Sequence, residues 1–446
     1  MKPRFVPGDR LLWLVLASAV VALAAGPWPE LTPVWLLVLA TVVLVALLDL
    51  ALALSRIRLP AISIPSVLRF MRDHEGVVEV TFELEPGAPR RVRFALVLPE
   101  GFSAAVDEEF VELPGGAPRA RITWRCTPRR RGRFSGARVA LETGSLLNLW
   151  RVRARATLPC DIRVHPNLLT ERKPLAALFL ARGRPGARIQ RTLGRGREFE
   201  KLREYLPGDG FDEIHWKATA KRGRPVTKVF QAERTQEVYV IIDASRLSAR
   251  PVVHANVQQT ALERCVTSAL VLLIAAQRQG DRFGLVVHDD RVRRFLRAGG
   301  GATHYAACRD ALLTVASTEA TPDVAEIMRF LRARLRRRAL LFFLTDLTDP
   351  VLAEDFARHA GLIARQHLVL VGQLRPPGVA PLFSGDDVAD NEEIYARLAG
   401  HVRWAETRAL AQKLKPQGVT VSVLENETMA AQLVAQYMRV KERQAL

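Results

Sequence analysis

The chain opens with two uncharged apolar runs, Leu11 to Trp28 and Val34 to Leu54, the second interrupted only by Asp49. Each is about as long as a helix needs to be to cross a hydrocarbon core, roughly 20 residues. Only Pro29 to Pro33 lie between them, so the pattern predicts a membrane α-helical hairpin over residues 1–58, with spans at about 11–28 and 34–54, rather than a cleaved leader. From Val77 the period changes to two. Val78, Val80, Phe82 and Leu84 alternate with Glu79, Thr81, Glu83 and Glu85, and Val92, Phe94, Leu96 and Leu98 repeat the alternation. Pro-Gly breaks at 86–87 and 114–115 separate the runs, and further strands are expected at 119–125, 136–142 and 154–164. Short alternating strands divided by turns predict a β-sandwich over residues 59–167.

From Val238 onward, continuous apolar strands (238–242, 283–287, 340–345, 367–371, 419–424) alternate with helical stretches that include 255–277, 324–337, 352–365 and 392–414. Fully apolar strands between helices imply a parallel sheet covered on both faces, an α/β doubly wound domain over 238–446. Binding sites in such sheets form at the carboxyl ends of the strands. Two carboxylates stand there: Asp243 after the first strand, and Asp346 after Leu341-Phe342-Phe343-Leu344-Thr345.

Charge adds a direction. Lys and Arg number 65 against 46 Asp and Glu, a net charge of +19, which suits anionic lipid, nucleic acid or an acidic partner. None of the usual nucleic-acid motifs is present, and neither is a Walker A sequence. Lys2, Arg4 and Arg10 precede the first apolar run, Arg56 and Arg58 follow the second, and Glu30 alone lies between. The positive-inside rule then places both termini in the cytoplasm. Trp13, Trp28 and Trp35 fall near the span ends as interfacial anchors, and Asp49 is expected near the interface, within reach of water or Arg56. Cys126, Cys160, Cys265 and Cys308 show no metal or disulfide spacing and read as small buried hydrophobes in a reducing compartment.

The most distinctive segment joins these domains, in an Arg-rich connection over 168–237. Gly196 to Glu233 packs Glu198-Phe199, Glu204-Tyr205, Pro207-Gly208-Asp209 and His215-Trp216-Lys217 into one stretch, too polar for core and too aromatic for a linker. It reads as a contact surface. Two roles for its aromatics stay open: pinning the segment to the next sheet, or meeting a partner. His215 and Asp209 have no nucleophile or second base nearby in sequence, which argues against acid–base chemistry.

The run Gly194, Gly196, Glu198, Phe199, Leu202, Arg203, Glu204, Tyr205, Gly208, Asp209, Ile214, His215, Trp216, Lys217, Ala218, Thr219, Ala220, Lys221 resembles the signature of the bacterial domain of unknown function 58 family, with Asp212 where that pattern has Arg. The resemblance implies a von Willebrand A-like C-terminal domain, and partners among MoxR-type AAA+ ATPases and other von Willebrand A proteins. It also implies the bacterial inner (plasma) membrane, as a multi-pass protein with cytoplasmic soluble domains. In a von Willebrand A arrangement an Asp-x-Ser-x-Ser loop, a Thr and a later Asp hold one divalent cation, and such oxygen donors suit Mg²⁺. Here Asp243, Ser245, Thr303 and Asp346 would supply a degenerate version, because the second serine position is Leu247 and Ser248 comes one residue late. Arg246 beside the site is the competing cation, so Mg²⁺ and a metal-free crest both stay open. The expected function is a non-enzymatic docking or adaptor protein; the alternative is a metal-dependent hydrolase using Asp243, Asp346 and Asp289.

Overall fold

A computed structural model describes residues 3–25, 32–86, 88–114, 117–171, 173, 175–176, 193–206, 210–211, 214–231, 236–254, 257–384 and 390–443, with backbone alone at 24–25, 193–201, 229–231, 253–254 and 257. The chain divides into two compact units, Met1–Asn167 and Leu168–Leu446.

The first unit begins with a short strand, β1 (Arg4–Pro7), followed by helices α1 (Asp9–Ala25) and α2 (Thr32–Arg56). Nine strands follow: β2 (Ala61–Ser63), β3 (Val67–Met71), β4 (Gly76–Glu83), β5 (Arg91–Val97), β6 (Phe102–Ala104), β7 (Glu109–Glu112), β8 (Arg119–Pro128), β9 (Gly132–Gly144) and β10 (Trp150–His165). They form a sheet in the order β1-β10-β9-β5-β7, with β3 also paired to β10, and a four-stranded sheet β2-β4-β8-β6. The period-two pattern puts Val78, Val80, Phe82 and Trp124 of the smaller sheet into one core with Val92, Phe94, Val139, Leu141 and Ile162 of the larger. Phe94 bridges the sheets, edge-on to Phe82 at 5.3 Å and to Trp124 at 5.4 Å between ring centroids.

α2 is long and apolar enough to cross a bilayer, with a mean hydropathy of 2.8. The expected first span runs past the end of α1 into 26–31, so Trp28 lies outside the described residues. Trp35 donates from its indole to the Ser18 carbonyl at 3.0 Å, tying α2 to α1. The sequence placed Asp49 within reach of water; instead it is 1% exposed. Its carboxylate accepts from Ser145 Oγ at 2.5 Å and from the Leu147 amide at 3.2 Å, both in the turn between β9 and β10. A buried carboxylate needs such donors, and this turn supplies them in place of Arg56.

The second unit contains β11 (Leu193–Glu204), α3 (Trp216–Arg222), β12 (Val226–Gln231), β13 (Glu237–Asp243), β14 (Pro251–His254), β15 (Val257–Thr260), α4 (Ala261–Gln279), β16 (Arg282–His288), β17 (Val292–Gly299), α5 (Ala302–Leu313), α6 (Val324–Arg334), β18 (Leu340–Leu344), α7 (Pro350–Ala364), β19 (Leu368–Leu374), α8 (Asn391–Leu414), β20 (Val419–Leu424) and α9 (Met429–Glu442). Six strands make a sheet in the order β17-β16-β13-β18-β19-β20, parallel except for the β16–β17 pair. Alternate residues of β13 serve opposite faces: Val238, Val240 and Ile242 pack with α4, α5 and α9, whereas Tyr239 and Ile241 pack with α6 and α7. That is the doubly wound arrangement expected from continuous apolar strands. One helix differs from expectation. Residues 251–254 and 257–260 pair as the antiparallel strands β14 and β15, and α4 starts only at Ala261, where the Thr260 side chain accepts from the Glu263 amide at 3.3 Å. The capping pair Thr260/Glu263 overrides the apolar period that ran into it.

Arg264, on α4, is the largest fully buried side chain; it pairs with Glu171 at 2.5 Å and donates to the Asn426 carbonyl at 2.6 Å. Removing one member strands the other charge in a dry interior. Arg264→Met should therefore lower stability by about 3–5 kcal/mol in urea unfolding, and adding Glu171→Leu should recover most of that loss.

Candidate functional site

The strand order reverses at β13, so the carboxyl ends of β13 and β18 flank the switch point of the sheet. Asp243 and Asp346 come together there, lining one pocket with Ser248, Arg250, Cys265 and Thr345. Asp243 is buried and both its oxygens are engaged: Oδ1 accepts from the Ser245 amide at 2.9 Å and Oδ2 from Thr345 Oγ1 at 2.8 Å. Asp346 Oδ2 pairs with Arg250 Nη1 at 3.1 Å, and its Oδ1 accepts from Thr348 Oγ1 at 2.6 Å and the Thr348 amide at 3.0 Å.

The cation at the crest is thus Arg250, not Arg246. A 3₁₀ turn, Arg246–Ala249, carries the chain round so that Arg250 faces the pocket, while Arg246 Nε reaches Thr321 Oγ1 at 3.4 Å. Thr303 is also corrected: it occupies the exposed first turn of α5 and does not line the pocket. Ser245 is fully buried, and its hydroxyl has no hydrogen-bond partner among the described residues, the one feature a cation would use. The rest of the donor set does not fit Mg²⁺. Mg²⁺ keeps several waters and is held through one or two carboxylates, but here Asp346 is committed to a guanidinium, both Asp243 oxygens are engaged, and Leu247 brings no donor. Among the described residues no group of three His, Cys, Asp or Glu is placed to hold a metal.

Three neighbours complete the crest, and sequence reasoning had not assigned them to it. Arg250 and Thr345 are the first two. His288 ends β16 in register with Asp243, and burial holds its imidazole below its ordinary pKa despite the nearby Asp243 carboxylate. It therefore stays neutral. Cys265 is no nucleophile, because burial pushes its thiol up to about 12, with the Asp243 charge adding to the effect. Asp289, the third carboxylate of the hydrolase alternative, is fully buried and taken up by Arg293 Nε at 2.6 Å and Thr318 Oγ1 at 2.9 Å.

The aromatic segment forms a separate small motif. β11 and β12 pair antiparallel, with Arg203 opposite Thr227 and Phe199 opposite Phe230, and α3 lies between them in sequence. Glu198 and Phe199 are described by backbone alone, and Gly208 and Asp209 lie outside the described residues. His215 caps α3, its Nδ1 accepting from the Ala218 amide at 3.1 Å, so it is a helix cap rather than a base. Lys217 is exposed, Tyr205 stacks against Phe211 with centroids 6.3 Å apart, and Trp216 is 67% exposed. Trp216 is therefore not pinned to a core.

These features meet the comparisons with known proteins. Residues 201–382 match the family model described as Protein of unknown function DUF58. Over that stretch the chain is similar to this family. An uncharacterized protein of Mycobacterium tuberculosis and one of Mycobacterium bovis are each 25% identical over 200 residues, 44% of this chain. The match spans 60% of those relatives' length. Among solved structures, a conserved hypothetical protein BatB from Bacteroides thetaiotaomicron aligns with a TM-score of 0.31 at 16% identity, over 47% of this chain and 99% of its own. An aerotolerance-related membrane protein from Bacteroides fragilis gives 0.31 at 16% identity, over 46% of this chain and 98% of its own. The SpRpn10 VWA domain gives 0.27 at 9% identity, covering 45% and 95%.

Asp289 makes the unit's acid sensitivity testable. Burial alone would raise its carboxyl, but hydrogen bonding with Asp290, Arg293, the Arg291 amide and Thr318 brings it down to about 2, from an ordinary 3.8. A depressed carboxylate stabilises the fold fully above about pH 4 and loses that contribution as pH falls towards 2. Asp289→Asn should therefore cost about 2 kcal/mol at neutral pH and flatten the decline of melting temperature between pH 4 and pH 2.

Proposed function

We propose that the chain is a non-enzymatic docking or adaptor protein of the bacterial inner membrane. On this reading α1 and α2 form a multi-pass membrane hairpin, the two-sheet unit is a β-sandwich beside it, and the α/β unit is a von Willebrand A-like platform in the cytoplasm. The partner we propose is a MoxR-type AAA+ ATPase, with other von Willebrand A proteins as co-assemblers. The chain would present the surface, and the ATPase would supply hydrolysis for assembly or remodelling.

The exposed indole of Trp216 carries this reading. Contiguous exposed apolar surface marks interaction sites, and Trp is enriched at them. Here the indole stands on a capped helix, with Leu206 and Phe211 exposed nearby in sequence. The crest supports the same view, since its carboxylates are bound by Arg250, Thr345 and Thr348 and not poised as acid and base.

Tagged protein extracted in detergent should recover the ATPase in a pull-down. Trp216→Ala should weaken capture roughly 30-fold, the loss typical of an interfacial tryptophan worth about 2 kcal/mol. Its melting temperature should stay that of the wild type, because the indole buries little. Undiminished capture by Trp216→Ala counts against this surface, and failure of the wild type to recover the ATPase counts against this partner.

Removing the cap should act on stability instead. His215→Ala should cost about 1 kcal/mol, while His215→Asn, which restores a capping acceptor, should keep the wild-type melt.

A further inference from the structure

We infer that the turn between β9 and β10, Ser145 to Leu149, sits inside the lipid interface of the bilayer that α2 crosses, with Leu146 and Leu147 inserted among the acyl chains. This rests on the membrane anchoring proposed above and adds a second membrane contact, made by the sheet unit itself.

The turn is fixed to the body of α2, not to its end. Ser145 and Leu147 hold Asp49, and Trp150 Nε1 donates to the Ala46 carbonyl at 2.8 Å. Asp49 precedes the last residue of α2, Arg56, by about 10 Å of helix axis, and Ala46 does so by about 15 Å. Along this stretch only one stripe of the helix, Ala46, Asp49 and Ala53, is covered. The remaining circumference is apolar and exposed, with Leu44, Val45, Leu47, Leu48, Leu52 and Leu54. A helix lying in water beside a folded domain carries polar residues on its outer face; between Thr41 and Ser55 this one exposes none. Lipid must therefore reach the level at which the turn is attached.

Length gives the same answer. If the bilayer stopped short of the turn, Thr32 to Val45 would be left to span, about 21 Å of helix against a hydrocarbon core of about 30 Å. The turn is also built for an environment poor in water, where backbone groups need internal partners. The Leu147 amide goes to Asp49, the Asn148 amide to the Ser145 carbonyl at 3.0 Å, and the Trp150 amide to Ser145 Oγ at 3.0 Å. The Leu149 carbonyl accepts from the Gly8 amide at 2.7 Å. Gly8 permits this approach, since a Cβ there would meet the Asn148 carbonyl oxygen at 2.8 Å. What the turn presents outward is Leu146, 73% exposed, Leu147 beside it, and one polar side chain, Asn148. Arg10, donating to the Leu147 carbonyl at 3.3 Å, and the exposed Arg4, Arg56 and Arg58 provide the cationic fringe that anionic headgroups neutralise.

The test uses the full chain reconstituted in vesicles of phosphatidylcholine and phosphatidylglycerol, with an environment-sensitive fluorophore on one introduced cysteine. The four native cysteines are buried and free, which leaves the introduced thiol as the reactive one. Leu146→Cys, Leu147→Cys, Leu37→Cys on the outer face of α2 and Val106→Cys on the sheet unit are compared. The turn probes should emit blue-shifted light, be quenched by nitroxide lipids like the Leu37→Cys probe, and show several-fold weaker iodide quenching than the Val106→Cys probe. If both turn probes behave like Val106→Cys while Leu37→Cys reports lipid, the turn lies in water and this inference is overturned with the anchoring intact. If Leu37→Cys also reports water, both the anchoring and the inference fall.

Discussion

Two carboxylates brought to one edge of a sheet repel each other, and the α/β unit is organised around the way that repulsion is relieved. The reversal of strand order at β13 places Asp243 beside the end of β18, where Asp346 follows Thr345. A crest of this kind either takes a cation from solution or carries its own. Here it carries its own: Arg250 closes on Asp346, while Thr345 and the Ser245 amide take up the oxygens of Asp243. Positive charge, hydroxyls and amides together do what water would do for an exposed pair. Bonded in this way, both carboxylates are held fixed.

Other buried acids among the described residues are likewise met by internal donors. Asp281, fully buried before β16, accepts from Tyr437, from Lys441 Nζ at 2.8 Å and from the Gln236 amide at 3.1 Å, which clasps α9 to the amino ends of β13 and β16. Glu171 meets Arg264, Asp289 meets Arg293 and Thr318, and Asp49 meets the Ser145–Leu147 turn. Each joins segments far apart in sequence or ties a loop to a strand. Each is also a place where loss of one partner costs more than the bond itself, because the survivor stays buried.

Periodicity made the strands legible. Apolar residues two apart in 77–98, and unbroken apolar runs at 238–242 and 340–344, correspond to β4, β5, β13 and β18. The helix expected from residue 255 was harder, since Thr260 sets its start and strands β14 and β15 pair just before it. At the crest, Asp243, Ser245 and Asp346 were found from their positions at strand ends. Arg250 was not, because proximity in sequence favoured Arg246, and only the 3₁₀ turn decides which guanidinium returns to the pocket. Thr303 was chosen for its residue type after a glycine run, which says nothing about where α5 places it. His215 looked like chemistry and is a cap, a role fixed by the backbone of α3.

What distinguishes an arginine-filled crest from a vacant metal site is its response to a divalent ion. Mn²⁺ titrated into the purified protein and followed by electron paramagnetic resonance reads this without reference to any partner. With Arg250 in place the free-ion signal should persist through one equivalent. Stoichiometric loss of the signal in the wild-type protein would contradict a crest whose carboxylate oxygens are already taken up from within.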